Sequence, residues 1–283
     1  MLGHKLYQVL RDRCEVHATF RRFDTRLAGI FRPSDVIDGV DAWDMSSVRR
    51  AVSDTRPDSV VNCIGLIKQV DDARNLKESV YVNALFPHLL CECAEDIGAR
   101  VIHVSTDCVF SGKRGDYSEE DSSDAVDVYG KAKYLGEVRY DRALTLRTSI
   151  VGRALFRDVS LIEWFLSQSS KRIKGYTNAI YTGLSTGALS SEIWRIVSEY
   201  PLMHGLYHVS SDKITKFSLL TLVNQFFRAN VTIEPFDGVF CDRSLRSDRY
   251  RRETGFVPSS WEGMVAEMAN DATPYGQFRR ACK

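Results

Sequence analysis

Apolar positions recur in two alternating rhythms along the first half of the chain. Leu6 and Leu10 stand four apart, which predicts a helix over residues 4–13. Residues 16–20 read as a strand. Asp44-Met45-Ser46-Ser47 offers N-cap candidates for a helix that runs to Thr55, and Pro57 stands just past its end. The short, mostly apolar run 59–64 reads as a strand. A long helical pattern covers 75–97, bent or broken near Pro87 and closed by Gly98. A strand over 100–105, a helix over 127–140 and a strand over 143–147 follow.

Mostly apolar strands separated by amphipathic helices predict an α/β fold, with a parallel sheet covered on both faces. This is the Rossmann-type, doubly wound pattern of dinucleotide-binding domains. The second half is less regular. It has helices near 159–169, 186–199, 216–228 and 259–269 and short strands near 205–209 and 231–234, and reads as a smaller α+β lobe. The expected division is a nucleotide-binding domain over 1–157 and a substrate lobe over 158–283, with part of 172–199 returning to the first. One feature departs from a complete Rossmann domain. No strand precedes the first helix, and no full G-x-G-x-x-G is present. The expectation is that the frame continues upstream, with Met1 internal and Gly3 the last glycine of that turn. The plainer reading of Gly3 is a simple N-terminal glycine.

Composition narrows the class. Of 283 residues, 44% are hydrophobic and 27% charged, as in an ordinary globular protein. The net charge of +1 gives no global field for nucleic acid or an anionic membrane. No apolar run approaches the ~18 residues needed to span a bilayer, and the N-terminus lacks the apolar core of a signal peptide. A cytoplasmic protein is expected. Seven cysteines, an odd number, argue against a disulfide framework. Cys91-x-Cys93 lies in an apolar helical pattern without a second pair, so it reads as two buried thiols rather than a metal site.

Tyr129 and Lys133 stand four apart and fall on one helical face. A nearby ammonium stabilises phenolate and draws the Tyr pKa down from ~10, so such a Tyr can exchange a proton with a carbonyl or alcohol. Taken alone the pair is weak. Ser105-Thr106-Asp107-Cys108-Val109-Phe110 places hydroxyls at the carboxyl end of a parallel strand, where open α/β sheets bind ligands. Thr106 by itself reads more readily as a strand-end cap. Asn62-Cys63-Ile64-Gly65 ends another strand with small residues that would let a ribose approach the backbone. Arg21 and Arg22 follow the second strand of the pattern, where Arg accommodates the 2′-phosphate of NADP and an acid would bind the NAD ribose. A solvated basic loop explains them nearly as well.

Together these residues resemble the extended short-chain dehydrogenase/reductases, and within them the dTDP-4-dehydrorhamnose reductase (sugar-nucleotide 4-ketoreductase) group. The matching stretches run from Gly3 to about Met268. They include Asp41-Ala42, Val61–Gly65, Asn83, Ser105–Gly112, Tyr117, Glu120, Tyr129/Lys133 and Leu146–Ser149. The resemblance implies that Thr106, Tyr129 and Lys133 are catalytic: Tyr129 would protonate a C4 keto oxygen, Lys133 would bind the nicotinamide ribose, and Thr106 would orient the oxygen. It implies that Gly3, Arg21, Asp41, Ala42, Cys63, Ile64 and Gly65 line NADP(H), with NAD(H) left open. Asn83, Asp107, Val109 and Phe110 would border the sugar. Trp164, Asn178 and Arg243 would reach the sugar and the nucleotide diphosphate, an Arg fork suiting two phosphate oxygens.

The implied partner is a nucleotide-sugar substrate, with a homodimer allowed and no metal, nucleic acid or membrane. The implied reaction is NADPH-dependent C4 ketoreduction for deoxysugar and surface-polysaccharide synthesis. Two alternatives stand beside it: an epimerase or dehydratase of the same superfamily, and a non-catalytic regulatory subunit. The chain departs from the group at Cys108, where Tyr is usual, at the Asn-Cys-Ile-Gly turn, and in lacking the first strand.

Overall fold

In the computed structural model, which describes residues 1–66, 72–156 and 160–279, the chain opens into helix α1 (Leu2–Leu10). Its Leu2, Leu6 and Leu10 share one face and join the main core. The short strands β1 (Ala18–Phe20) and β2 (Val36–Asp38) pair in parallel. Helix α2 (Met45–Thr55) is capped by the Asp44 carboxylate on the Ser46 N–H and ends at Arg56 in the left-handed region. Strand β3 (Ser59–Asn62) stops two residues short of the expected 64, because the Asn62 side chain accepts the Ile64 N–H and turns the chain.

The single helix expected over 75–97 is three pieces: α3 (Asp72–Ser79), a π-helical stretch (Val80–Leu85) and α4 (Phe86–Glu95). Pro87 lacks the N–H that a continuous α-ladder would need, and the wider turn lies just before it. Cys91 and Cys93 are buried on α4, and burial pushes both thiols up. Gly98 closes the segment at φ 75°. Strand β4 (Arg100–Thr106), helix α5 (Val128–Leu135) and strand β5 (Ala143–Thr148) follow. The helix is shorter than the expected 127–140, since Gly136 ends it.

The second half contributes β6 (Ile150–Val151), α6 (Leu161–Leu166), β7 (Arg172–Tyr176), β8 (Ala179–Tyr181), β9 (Leu184–Ser185) and α7 (Thr186–Glu199). Then come β10 (Gly205–His208), β11 (Ile214–Thr215), α8 (Lys216–Phe227), β12 (Thr232–Phe236), β13 (Cys241–Asp242), α9 (Asp248–Thr254), α10 (Trp261–Ala269) and α11 (Tyr275–Arg279). The principal sheet is parallel, in the order β10-β5-β4-β3. Among the described residues no ladder joins it to β1 and β2, which form a separate parallel pair. β5 is buried throughout and β4 almost throughout, while Val60 and Val61 of β3 are half-buried, as at a sheet edge. Ile102, Leu144 and Leu146 of the sheet meet Leu189, Ile193 and Ile196 of α7 in the core that α1 also enters. No helix among the described residues is long and apolar enough to cross a membrane.

Two glycines set how closely α5 packs. A Cβ at Gly130 would collide with the Cys108 carbonyl oxygen and lie 2.8 Å from the Ala125 Cβ. A Cβ at Gly136 would collide with the Asn83 carbonyl oxygen of the π-helical stretch. The helix is thus held against the turn after β4 at one end and against the π-helical stretch at the other. Gly130→Ala is expected to lower stability by about 1–3 kcal/mol, the usual cost of overpacking. The midpoint of urea unfolding reads this shift, and an unchanged midpoint would show that the turn yields.

Candidate active site

Thr106 ends β4 and caps the tight turn Asp107–Val109. Its hydroxyl oxygen accepts the Cys108 N–H at 3.1 Å, and the hydroxyl donates to Asp107 Oδ1 at 3.2 Å. Asp127 caps α5 by accepting the Gly130 N–H at 2.8 Å, which sets Tyr129 and Lys133 in the first two turns. The structure brings these three residues together. Burial pushes the Tyr129 phenol up, neighbouring Cys108 and Asp107 add to this, and the Thr106 side chain opposes it.

The expected lowering of Tyr129 by Lys133 is not seen, because the Lys133 amine points elsewhere. Its Nζ donates to the Val104 carbonyl at 2.7 Å and lies 3.3 Å from His103 Nε2. Burial lowers Lys133 to about 8, against the raising effect of the Glu137 carboxylate. His103 is fully buried and touches Asn62 through Nδ1 at 3.1 Å.

Asp107 is buried, which raises its carboxyl, while Arg243 pulls it back. Arg243 donates from Nε to the Phe110 carbonyl at 2.9 Å. Cys108 is pushed up to about 12, by burial first and by Asp107 second. The Tyr181 hydroxyl is buried near Asp107, with no hydrogen-bond partner among the described residues. Thr106, Asp107, Cys108, Tyr129, Tyr181 and Arg243 thus form one polar cluster at the carboxyl end of β4.

Other expected residues sit differently. Val109 and Phe110 are fully buried among Tyr117 and Leu245, and the Phe110 ring stacks on Tyr117 at 4.1 Å. They support the cluster by packing. Asn83 is fully buried, and its amide bonds both the N–H and the carbonyl of Leu66, so it pins the loop after β3. Trp164 is 40% exposed on α6, and no contact among the described residues ties it to Thr106 or Tyr129. Asn178 is exposed and donates to the Asp237 carbonyl at 3.1 Å.

On the cofactor side, Gly3 lies in the first turn of α1, and a Cβ on it would be 3.7 Å from the Cys63 Cβ. Cys63, Ile64 and Gly65 are exposed at the carboxyl end of β3, and Arg21 and Arg22 are exposed after β1. The Asp41 carboxylate accepts the Trp43 N–H at 3.0 Å, and Ala42 is buried beside Val48 and Phe86. Gly3 of α1 thus lies beside the exposed turn after β3, whose small residues leave the backbone open to a ligand.

Sequence reasoning missed the buried network beneath the cluster. Arg147 Nε and Nη2 hold the two Glu137 carboxylate oxygens at 2.6 and 2.7 Å, and Ser105 Oγ donates to Glu137 at 2.9 Å. Arg147 Nη1 lies 3.3 Å from His208 Nε2, and the guanidinium lies 5.2 Å from the Phe110 ring centroid. The available signal was a Glu four residues beyond Lys133, facing an Arg in the next strand.

An open parallel α/β sheet carrying a Thr–Tyr–Lys set at a strand end is the architecture of the extended short-chain dehydrogenase/reductases. Within that class, the chain belongs to the family described as the RmlD substrate binding domain, whose model matches residues 1–273. The dTDP-4-dehydrorhamnose reductase of Escherichia coli (strain K12) is 30% identical over 251 residues, 79% of this chain and 83% of that protein. The spore coat polysaccharide biosynthesis protein SpsK of Bacillus subtilis (strain 168) is 29% identical over 247 residues, with the same coverage. Among solved structures, a hypothetical dTDP-4-dehydrorhamnose reductase from Sulfolobus tokodaii matches with a TM-score of 0.75 and 24% identity, over 93% of this chain and 95% of that one. A dTDP-4-dehydrorhamnose reductase from Bacillus anthracis in complex with NADP matches with a TM-score of 0.71 and 19% identity, over 86% and 93%. At these identities the structural matches speak for the fold.

Two outcomes follow from the buried network. Arg147→Leu strands the Glu137 carboxylate and is expected to cost about 3–5 kcal/mol, read by denaturant unfolding. His208 is held neutral, lowered to about 3 by burial and by Arg147, and His4 is lowered to about 3 by burial. The unfolded chain protonates both near 6.5 while the native chain does not, so stability falls as pH drops from about 6.5 toward 3. Unfolding midpoints measured across that window check the slope, and His208→Gln should flatten it.

Proposed function

We propose that this chain is an NADPH-dependent oxidoreductase that reduces the C4 keto group of a nucleotide-activated 4-dehydro-6-deoxysugar. The observation that carries the reading is the placement of the Tyr129 phenol beside the Thr106 side chain and Asp107 at the end of β4, with Lys133 one turn further along α5. Family membership and the names of the curated relatives support the same reaction class. The Bacillus subtilis relative, named for spore coat polysaccharide synthesis, supports a role in making surface sugars.

In this reading a bound nicotinamide supplies the hydride. Tyr129, protonated at rest, donates its proton to the keto oxygen as the alcohol forms. Thr106 orients that oxygen, its one hydroxyl proton turning from Asp107 to the keto oxygen. Lys133 sits below and binds the ribose. Gly3, Cys63, Ile64 and Gly65 border the cofactor, and exposed Arg21 favours the 2′-phosphate of NADP over NAD. The complex of a Bacillus anthracis relative with NADP is consistent with that preference. Asp107 and Arg243 face the nucleotide sugar, Arg243 offering a fork to phosphate oxygens. Residues 1–157 would hold the cofactor and 158–283 the sugar nucleotide, in a cytoplasmic setting.

Tyr129→Phe removes one hydroxyl and tests the assignment. Turnover of dTDP-4-dehydrorhamnose with NADPH is expected to fall by about 10²-fold or more, while circular dichroism and NADPH titration stay as in the parent chain. Full activity in the variant would remove Tyr129 as the acid. Failure of the parent chain to bind NADPH would overturn the reductase reading in favour of a non-catalytic subunit.

A further inference from the structure

Three buried side chains run in a row from the end of β3 to the Lys133 amine, and their hydrogen bonds have a direction. Asn62, His103 and Lys133 are 3%, 0% and 5% exposed. The Ile64 N–H donates to Asn62 Oδ1 at 3.0 Å, which fixes the amide and turns its NH₂ toward His103 Nδ1, 3.1 Å away. An amide NH₂ can only donate, so Nδ1 must offer a lone pair. A neutral imidazole with its lone pair on Nδ1 carries its proton on Nε2. That nitrogen lies 3.3 Å from Lys133 Nζ.

The consequence falls on the lysine. An ammonium has three donors and no acceptor, so it would set N–H against N–H across this contact. An uncharged amine offers a lone pair to the Nε2–H and can still donate to the Val104 carbonyl at 2.7 Å. His103 gains nothing by protonating, because burial and Lys133 both hold it well below its usual range.

The other groups around the amine are accounted for. Glu137, just past the end of α5, favours the ammonium, but its two oxygens are held by Arg147 and Ser105. Tyr129 lies on the same helix. Asp107 and Cys108 occupy the turn after β4, and burial raises both. His88, on α4, acts weakly on His103. The π-helical stretch packed on α5 carries no charged side chain, and its Tyr81 stacks on Trp43. Lys77 and Glu78 of α3 are exposed.

We propose that Asn62 and His103 are positioning residues for Lys133: the Ile64 amide orients Asn62, Asn62 selects the His103 tautomer, and the imidazole N–H so presented favours the uncharged amine. Resting on the reductase reading, this arrangement sets the pH above which the site loses the positive charge of Lys133. The lysine then acts as a titrating group, and the two residues beneath it choose where it titrates.

The test uses the full 283-residue chain without cofactor or substrate, so it stands apart from any activity assay. Imidazole ¹⁵N shifts of the parent are expected to show His103 protonated on Nε2. A proton on Nδ1 would overturn the proposal. With ¹³C at lysine Cε, the Lys133 signal, assigned by its loss in Lys133→Met, gives the titration midpoint. His103→Gln can turn an amide oxygen toward Nζ and is expected to raise that midpoint by about one pH unit or more. Asn62→Asp accepts from both Ile64 and His103, so it should move the imidazole proton to Nδ1 and raise the midpoint as well. An unmoved midpoint in a folded His103→Gln variant would show that the pair is merely structural. Should that variant not fold, the parent tautomer alone decides.

Discussion

The arrangement depends most on one buried ion pair. Arg147 and Glu137 are each about 1% exposed, and each would be costly alone in that environment. Together they tie four elements: β5 through Arg147, the end of α5 through Glu137, β4 through Ser105 and β10 through His208. The bidentate fork fixes direction as well as distance. Thr106 follows Ser105, and Lys133 precedes Glu137 by one turn. The pair therefore sets the strand end and the helix that between them carry the proposed chemistry.

The close approach of α5 serves the same end. Without side chains at Gly130 and Gly136, the helix backbone rests directly on the turn after β4 and on the π-helical stretch. Tyr129 and Lys133 then sit among buried groups, and desolvation dominates their protonation. It pushes the phenol up and the amine down to about 8, shifting both toward their neutral forms. A positive charge on the amine would be met by the Val104 carbonyl, and a negative charge on the phenol by the Thr106 side chain, rather than by water.

Much of this was legible in the sequence, and the rest was hidden for physical reasons. The parallel strands, their helices and the absence of a strand before α1 follow from hydrophobic periodicity and turn residues. Thr106 at a strand end, and Tyr129 and Lys133 on one helical face, were readable because strand ends and helical spacing are local properties; joining them as a catalytic set rested on the resemblance. The π-helical stretch was not, since a proline marks a break without saying how the preceding turn widens. Val109, Phe110 and Asn83 read as substrate neighbours, yet packing and backbone hydrogen bonds occupy their side chains. Position along the chain does not reveal such tertiary commitments. The direction of the Lys133 amine was likewise unreadable, because His103 lies 30 residues away in sequence and touches it only across the sheet.

The division of the parallel strands into a pair and a quartet has a consequence for local opening. β1 and β2 share no backbone ladder with the larger sheet among the described residues, and their apolar side chains pack with Tyr7, Phe31, Leu155 and Phe278 in a cluster apart from the main core. That corner is held to α1 by side-chain hydrogen bonds, Tyr7 with Asp35 and Arg32, and Arg11 with the Ile30 carbonyl, rather than by a sheet ladder. The segment bearing Arg21 and Arg22 therefore depends on these side chains, not on the β4–β5 centre, for its place. A ligand that bridges it to the end of β3 would add stability to the whole chain by closing the corner it touches.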